Sequence, residues 1–490
     1  MAPESTFGLV IGGVESGGGS GESQQLLDPA NNRPFAQVAV GTVADATHAM
    51  EAAQAAFESG DWSGGDGAKR AKALLRLAQL LEEQQEEFAL LETRNMGKTL
   101  RESRVDVGFV VRTFEYVAGL ADKIEGLTVP VPGARFNYTV REPLGVTVHI
   151  APWNYPLLLA MRSVAPALAA GNTVVLKPAS LTPVTAVRLA RLARAAGIPE
   201  GVLNVVPGPG GRLGEALVRD ARCRSVSFTG SGEVGRRIAA LAAERLVPAT
   251  LELGGKSPVI VLPDADVERA ARGIALGIFG NAGQMCWAGS RLIVHESIRS
   301  TVLERVRAIA EATRLGPGTQ EGVEMGPLVS REQEQHVLDY VRTAREDGAT
   351  VVTGGSKLTD APLAEGNFVR PTVLTDLPST SKAAQEEIFG PVLSTFSFRD
   401  LDEAVRLANA TPYGLFGALW TRDLASAHHL ARRLEAGLIA VNEPPLTFPQ
   451  TPFGGFKESG VGSEQGSGVV LSYTRTKNVL MNVALPKKKA

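Results

Sequence analysis

Between residues 146 and 243, short β-branched runs alternate with helical stretches, and this alternation limits the chain to few folds. Val146-Thr147-Val148-His149-Ile150, Thr173-Val174-Val175-Leu176, Val202-Leu203-Asn204-Val205-Val206 and Ser225-Val226-Ser227-Phe228 read as strands. Helices are expected over 157–170, 183–196, 211–219 and 232–243, with Pro183 suited to a first helical turn. Strands joined by helices pack as a parallel, doubly wound α/β sheet. A second alternating series runs from Pro258-Val259-Ile260-Val261 through Leu292-Ile293-Val294, 349–353 and 393–396 to Leu438-Ile439-Ala440-Val441. The 490 residues exceed what one core organises, so two α/β units are expected, with a seam near Gly254-Gly255.

The flanking segments are less regular. The first 25 residues are rich in Gly and Ser and are expected to be loose apart from Leu9-Val10-Ile11. A helix capped by Asp45 is expected over 46–58. One long amphipathic helix is expected over 68–96, where Leu74, Leu77, Leu81, Phe88 and Leu91 recur at helical spacing before Gly97. Another follows over 100–120. Residues 136–141 and 471–483 read as extended and fit neither unit. They are expected to pair as a protruding flap that another subunit covers, because an open ribbon edge invites pairing.

Fifty basic residues face 52 acidic ones, a net charge of −2, so nothing marks a nucleic-acid or anionic-membrane surface. Lys487-Lys488-Lys489 is the one basic cluster, expected to be a solvated tail. No apolar run reaches the roughly 18 residues of a membrane span. Residues 1–13 lack a basic region followed by an apolar one, so no secretion signal is read there. Two cysteines fit a reducing cytoplasm, and six scattered histidines offer no metal cluster.

One of those cysteines ends Asn281-Ala282-Gly283-Gln284-Met285-Cys286. Thirty-four residues upstream, Glu252 stands in Leu251-Glu252-Leu253-Gly254-Gly255-Lys256. A thiol and a carboxylate in Gly-flanked loops read as a nucleophile and its base, since the thiolate is the reactive form. Cys223, between Arg222 and Arg224, is expected to be a small buried hydrophobe. Gly230-Ser231-Gly232-Glu233-Val234-Gly235 matches G-x-G-x-x-G between a strand and a helix, with Glu252 about 20 residues on. Taken alone this is either a dinucleotide fingerprint with the acid on the ribose or a Gly-rich turn opening a helix. It follows the fourth strand of its unit, not the first.

The full set of motifs resembles the aldehyde dehydrogenase superfamily over nearly the whole chain. It comprises Pro152-Trp153-Asn154-Tyr155-Pro156, Leu176-Lys177-Pro178-Ala179-Ser180, Phe228-Thr229-Gly230-Ser231, the Glu252 and Cys286 loops, Ala288-Gly289-Ser290-Arg291, Glu386-Glu387-Ile388-Phe389-Gly390-Pro391 and Pro452-Phe453-Gly454-Gly455-Phe456-Lys457-Glu458-Ser459-Gly460. The family commonly has Thr at the Gly232 position, so the G-x-G-x-x-G match is partly accidental. The resemblance implies two doubly wound α/β domains plus a small β-strand oligomerisation flap: 1–122 with 144–253 for the dinucleotide, 254–457 carrying the nucleophile, and 123–143 with 471–484 as the flap. A homodimer or homotetramer is implied.

The resemblance also assigns roles. Cys286 attacks an aldehyde to give a thiohemiacetal. Asn154, beside the Cys286 backbone N–H, donates to the oxyanion. Glu252 becomes the base for the water that hydrolyses the thioester. NAD or NADP lies across the first unit, in a cleft walled by Ile150, Ala151, Pro152, Trp153, Gly210 and Leu253. Gly230 and Ser231 meet the pyrophosphate, Lys177 the adenosine ribose, Glu387 the nicotinamide ribose and Phe389 the nicotinamide ring. NAD-preferring members often carry Glu where this chain has Ser180, so NADP is expected to be tolerated or preferred, with the hydroxyl free to donate to a phosphate. Trp153, Tyr155, Leu158, Leu159, Met285, Trp287 and Phe448 are expected to line or flank an apolar substrate tunnel. Arg162, two helical turns past Asn154, could bind a substrate carboxylate or pair with a neighbouring acid. The second arginine of succinate-semialdehyde members is Gly280 here. A coenzyme A-acylating enzyme is disfavoured by Glu252, and a non-catalytic relative by the presence of all three catalytic residues.

Overall fold

A computed structural model describes residues 5–484; Lys487-Lys488-Lys489 lies outside them. The strands that position the site are β1 (Leu9–Ile11), β2 (Val146–Ile150), β3 (Thr173–Lys177), β4 (Leu203–Val205), β5 (Cys223–Thr229), β6 (Ala249–Glu252), β7 (Pro258–Val261), β8 (Arg291–His295), β9 (Val392–Phe398), β10 (Phe416–Trp420) and β11 (Leu438–Val441). The first sheet is ordered β6-β5-β2-β3-β4-β1, with Gly460–Val461 antiparallel beyond β6 and Val14–Ser16 beyond β1. β2 to β6 run parallel and β1 antiparallel. The second is ordered β9-β8-β7-β10-β11, all parallel, with Thr372–Thr375 and Thr350–Thr353 beyond β9. Every residue of β2, β3 and β7 is buried, as strands covered by helices on both faces require.

The expected alternation is present, and the sequence left β10 and Thr372–Thr375 unread. Three further expectations are corrected. Residues 5–28 are not loose: Ser5–Phe7, Leu9–Ile11, Val14–Ser16 and Ser23–Asp28 are strands, and Leu9 is fully buried. The helix α1 (Val43–Glu58) starts earlier than expected. Thr42 is its N-cap, and Asp45 is the returning arm of a capping box. The long helix is two, α2 (Gly67–Glu83) and α3 (Gln85–Met96), broken at Gln84. Glu86 and Glu87 then fall in a new first turn, where the helix dipole favours acids. The spacing from Leu81 to Phe88 keeps one apolar face across the break, which is why periodicity alone hides it. α3 ends on Gly97 at φ 98°, as expected, and α4 (Leu100–Ala118), α5 (Pro156–Ala169), α6 (Val184–Ala195) and α7 (Gly210–Arg219) follow.

Arg135–Pro143 and Thr474–Asn482 pair antiparallel over nine residues, forming the expected flap. Phe136, Leu480 and Met481 on it are exposed. Among the described residues no helix is long and apolar enough to cross a membrane, and no acidic, His or Cys cluster could hold a metal.

Candidate active site

Strand register gathers the first half of the site. Ile150 pairs with Lys177 and with Phe228, and Thr229 with Glu252, so the carboxyl ends of four parallel strands align. β2 has β3 on one side and β5 on the other. The chain reverses direction across the sheet there, which is where such sheets bind ligands. A cleft of about 510 Å³ opens at this end, lined among others by Pro152, Trp153, Asn154, Ser231, Cys286 and Glu387.

The helix α8 (Gly232–Ala243) points its N-terminus at the cleft behind the N-cap Ser231. Its free first-turn N–H groups favour an anion such as a pyrophosphate. The glycines have separate jobs. Gly230 N–H donates to Glu252 O at 3.1 Å. A Cβ on Gly235 would stand 2.4 Å from Leu253 Cδ2, so this glycine lets α8 pack on the strand end. Lys177 is buried, which lowers its ammonium to about 8, and Gly210 leaves room beside its Nζ. Glu387 Oε1 accepts from Gly255 N–H at 2.9 Å, and burial raises its carboxyl to about 7. Phe389 sits at φ 56°, its carbonyl held by Gln333 Nε2 at 2.9 Å, and its ring meets Trp153 edge-on at 5.1 Å. One expectation is corrected: Ser180 Oγ donates to Gly208 O at 2.7 Å, so its proton is already committed. The walls and donors thus fit a dinucleotide.

The second half is a strained loop after α9 (Val267–Phe279). Asn281 (φ 47°, ψ 32°) and Ala282 (φ 52°, ψ 34°) are consecutively left-handed, at a cost of roughly 1–2 kcal/mol each. Side chains hold them there. Asn281 Nδ2 donates to Asn154 O (3.1 Å) and Gln284 O (3.2 Å), Asn154 Nδ2 also donates to Gln284 O (2.9 Å), and Gln284 Nε2 donates to Asn281 O (3.0 Å). Gln284 Oε1 accepts from Val329 N–H at 2.9 Å. Glycines let three loops meet: a Cβ on Gly283 would lie 2.1 Å from Gly390 O, and one on Gly255 2.1 Å from Cys286 O.

Burial dominates the electrostatics. Both Glu252 carboxylate oxygens are buried, without a hydrogen-bond partner among the described residues. Desolvation holds its carboxyl well above the usual range; Arg162 pulls it down and Glu464 adds to the rise. Burial likewise pushes the Cys286 thiol up to about 12, opposed by Arg162 and reinforced by Glu387 and Glu252. Burial therefore favours the uncharged thiol of Cys286 and the uncharged acid of Glu252 over their ionised forms. Cys223 is fully buried, its thiol also raised by desolvation, as expected of an inert core sulfur.

Residues 17–479 match the model of the aldehyde dehydrogenase family. The chain belongs to the aldehyde dehydrogenase family. It is 45% identical over 482 residues to the phenylacetaldehyde dehydrogenase of Pseudomonas fluorescens, covering 96% of this chain and 95% of that one. Its fold superposes at TM-score 0.95 on the NAD+ complex of a Bacillus cereus aldehyde dehydrogenase, 40% identical, covering 98% and 97% of the two chains. At TM-score 0.96 it matches the Staphylococcus aureus betaine aldehyde dehydrogenase in complex with NAD+, 37% identical, covering 98% and 95%. It is an NAD(P)-dependent oxidoreductase.

In this aldehyde dehydrogenase Leu159 lines the cleft with Cys286, while Met285, Tyr155 and Trp287 join the core of the second sheet. Phe448 is 52% exposed on a surface loop. The rings beside Trp287 are Phe416 (6.2 Å) and Phe453 (5.5 Å). Arg162 is buried and paired through Nε with Glu464, its guanidinium 4.5 Å from the Phe453 ring centroid. Glu464 also accepts from Ser227 Oγ at 3.0 Å. Of the two sequence readings for Arg162, the structure supports the pairing one. Phe453 and Gln284 stood in quoted motifs without a role, while Glu464 and Gln333 carried no signal that sets them apart from ordinary polar residues.

Proposed function

We propose that this enzyme oxidises an apolar, uncharged aldehyde to its carboxylic acid through a covalent adduct on Cys286. The supporting observation is convergence: Asn154 follows β2, Glu252 ends β6 and Cys286 follows α9, and both Asn154 and Cys286 line the cleft behind α8. Cys286 Sγ adds to the aldehyde carbon, forming a thiohemiacetal whose oxyanion meets the Asn154 amide and the Cys286 backbone N–H. A preorganised donor of this kind lowers the barrier by roughly 3–4 kcal/mol. When bound, the nicotinamide coenzyme supplies the acceptor for the hydride that leaves this carbon. Ser231 and the first turn of α8 would hold its pyrophosphate, Lys177 its adenosine ribose and Glu387 its nicotinamide ribose, with Phe389 against the ring. Glu252, once deprotonated, takes a proton from the water that cleaves the thioester, and the Cys286 thiol is a second proton it could take.

The apolar surroundings of Cys286, with Leu159 in its cleft and Trp287 next to it in the chain packed on Phe416 and Phe453, support an aryl or alkyl aldehyde, in keeping with the substrate in the name of the Pseudomonas relative. Arg162, paired through Nε with Glu464, supports this over an acidic semialdehyde. The exposed flap and the open edge at β11 support a homodimer or homotetramer, and the two free thiols support a cytoplasmic setting. The test is absorbance at 340 nm with phenylacetaldehyde, hexanal and succinate semialdehyde, each with NAD+ or NADP+ and no coenzyme A. We expect turnover with the first two and little with the third. Dependence on coenzyme A, or a preference for succinate semialdehyde, would overturn the reading.

Position 180 carries a separate prediction. Serine places no carboxylate near the adenosine ribose, so we expect NADP+ to be accepted. Ser180→Glu would add a repulsion of roughly 4 kcal/mol for unit charges at contact in an effective dielectric near 20. The KM for NADP+ then rises by an order of magnitude or more while that for NAD+ falls or holds; an unchanged KM for NADP+ refutes this account of the position.

A further inference from the structure

The nucleophile loop is held from outside its own unit. Asn281 N–H, buried at the start of the left-handed pair, donates to Glu102 Oε1 at 2.7 Å across 179 residues of sequence. Glu102 is itself fixed. Its Oε2 accepts from Thr99 N–H (2.9 Å) and Thr99 Oγ1 (2.8 Å), and its own N–H donates back to Thr99 Oγ1 (3.3 Å), the capping box of α4. The turn before it is wedged against the second unit. Leu100 N–H donates to Gly318 O at 2.9 Å, and Gly318 and Gly326 approach the Lys98 and Gly97 carbonyls too closely for any Cβ. The same turn carries Lys98, whose Nζ pairs with Asp106 Oδ2 at 2.6 Å and lies 3.6 Å from the Tyr155 ring centroid, next to Asn154 in the chain. One helix start therefore touches both loops that hold the reacting groups.

The geometry points to Glu102 as a positioning residue. One carboxylate oxygen is spent on the cap, and the other keeps Asn281 and Ala282 left-handed, which sets Cys286 against the Asn154 amide. Left-handed non-glycine backbone persists only where its surroundings impose it. Without this acceptor, Asn281 N–H is a buried donor with no partner and the pair relaxes. Asn281 Nδ2 then leaves Asn154 O, and the oxyanion site loses its alignment. The inference rests on the covalent reading of Cys286 given above.

The experiment uses the full-length enzyme with three variants: Glu102→Ala, Glu102→Gln and Thr99→Ala. Stopped-flow NADH bursts, steady-state kcat and KM, and melting temperatures are measured with phenylacetaldehyde and NAD+. Because a small misplacement of reacting groups costs roughly 10²-fold, Glu102→Ala is expected to lower kcat and the burst rate by about that factor with the KM for NAD+ unchanged. Glu102→Gln keeps an acceptor for Asn281 N–H and returns most of the rate. Thr99→Ala loses the cap, lowers the melting temperature and leaves kcat near wild type. A wild-type burst in Glu102→Ala overturns the inference, as does a Gln variant as slow as the Ala variant. If Glu102→Ala does not fold, the same decision falls to the other two: Thr99→Ala matching a rate loss in Glu102→Gln reduces Glu102 to a helix cap. Cys286→Ala serves as the control. If it turns over, the covalent reading itself fails, whatever Glu102 does; if it is inactive while Glu102→Ala is not, only this inference fails.

Discussion

Cys286→Ser is expected to lower aldehyde oxidation by roughly 10⁴-fold or more, the scale on which removing a catalytic nucleophile acts. The substitution is nearly isosteric, so the loop network through Asn281, Gln284 and Asn154 stays intact, and the melting temperature and the KM for coenzyme hold. The loss is chemical. A serine hydroxyl is a far weaker nucleophile in a site where even the thiol is raised to about 12. The same fact sets the pH dependence of alkylation. Cys286 is reactive only as thiolate and its folded-state value lies above neutrality. Its rate of reaction with iodoacetamide therefore rises with pH throughout the neutral range, without levelling near the usual thiol value. A plateau below pH 8 would show that the thiol is not raised.

Glu252→Gln carries the second large effect. A general base contributes about 10²–10⁴-fold, so steady-state turnover falls by that order. The site of the loss separates this role from a structural one. In the proposed mechanism hydride leaves before the thioester is hydrolysed, so the variant is expected to give a burst of one NADH per site and then stall. In the proposed mechanism the hydrolytic step needs Glu252 ionised, and burial raises its carboxyl well above the ordinary value. Deacylation therefore rises with pH through a range above that of a solvated glutamate, and falls as pH drops and the carboxyl takes up its proton. Loss of the burst together with turnover would assign Glu252 to activation of Cys286 instead.

The sequence spelled out what is carried by short contiguous patterns. The β–α alternation placed both sheets. The Asn154, Glu252 and Cys286 motifs named residues that the fold draws to one end of the first sheet. The flap strands were legible as mixed-polarity runs that fitted no helix. What it concealed depends on distant partners. Arg162 looked available to a substrate because Glu464 lies 302 residues away and nothing local marks the pair. The Ser180 hydroxyl looked free because its acceptor is the carbonyl of Gly208, a backbone atom that no side-chain pattern announces. Glu102 reads as an ordinary helix cap until its second oxygen is followed to Asn281. The break at Gln84 escaped notice because the apolar face continues through it.

The most direct test of the covalent mechanism is mass spectrometry of Glu252→Gln quenched in acid after mixing with phenylacetaldehyde and NAD+. The account predicts a phenylacetyl group on the peptide containing Cys286, one per chain, formed at the rate of the NADH burst. An NADH burst with Cys286 unmodified, or with the acyl group on another residue, would contradict it.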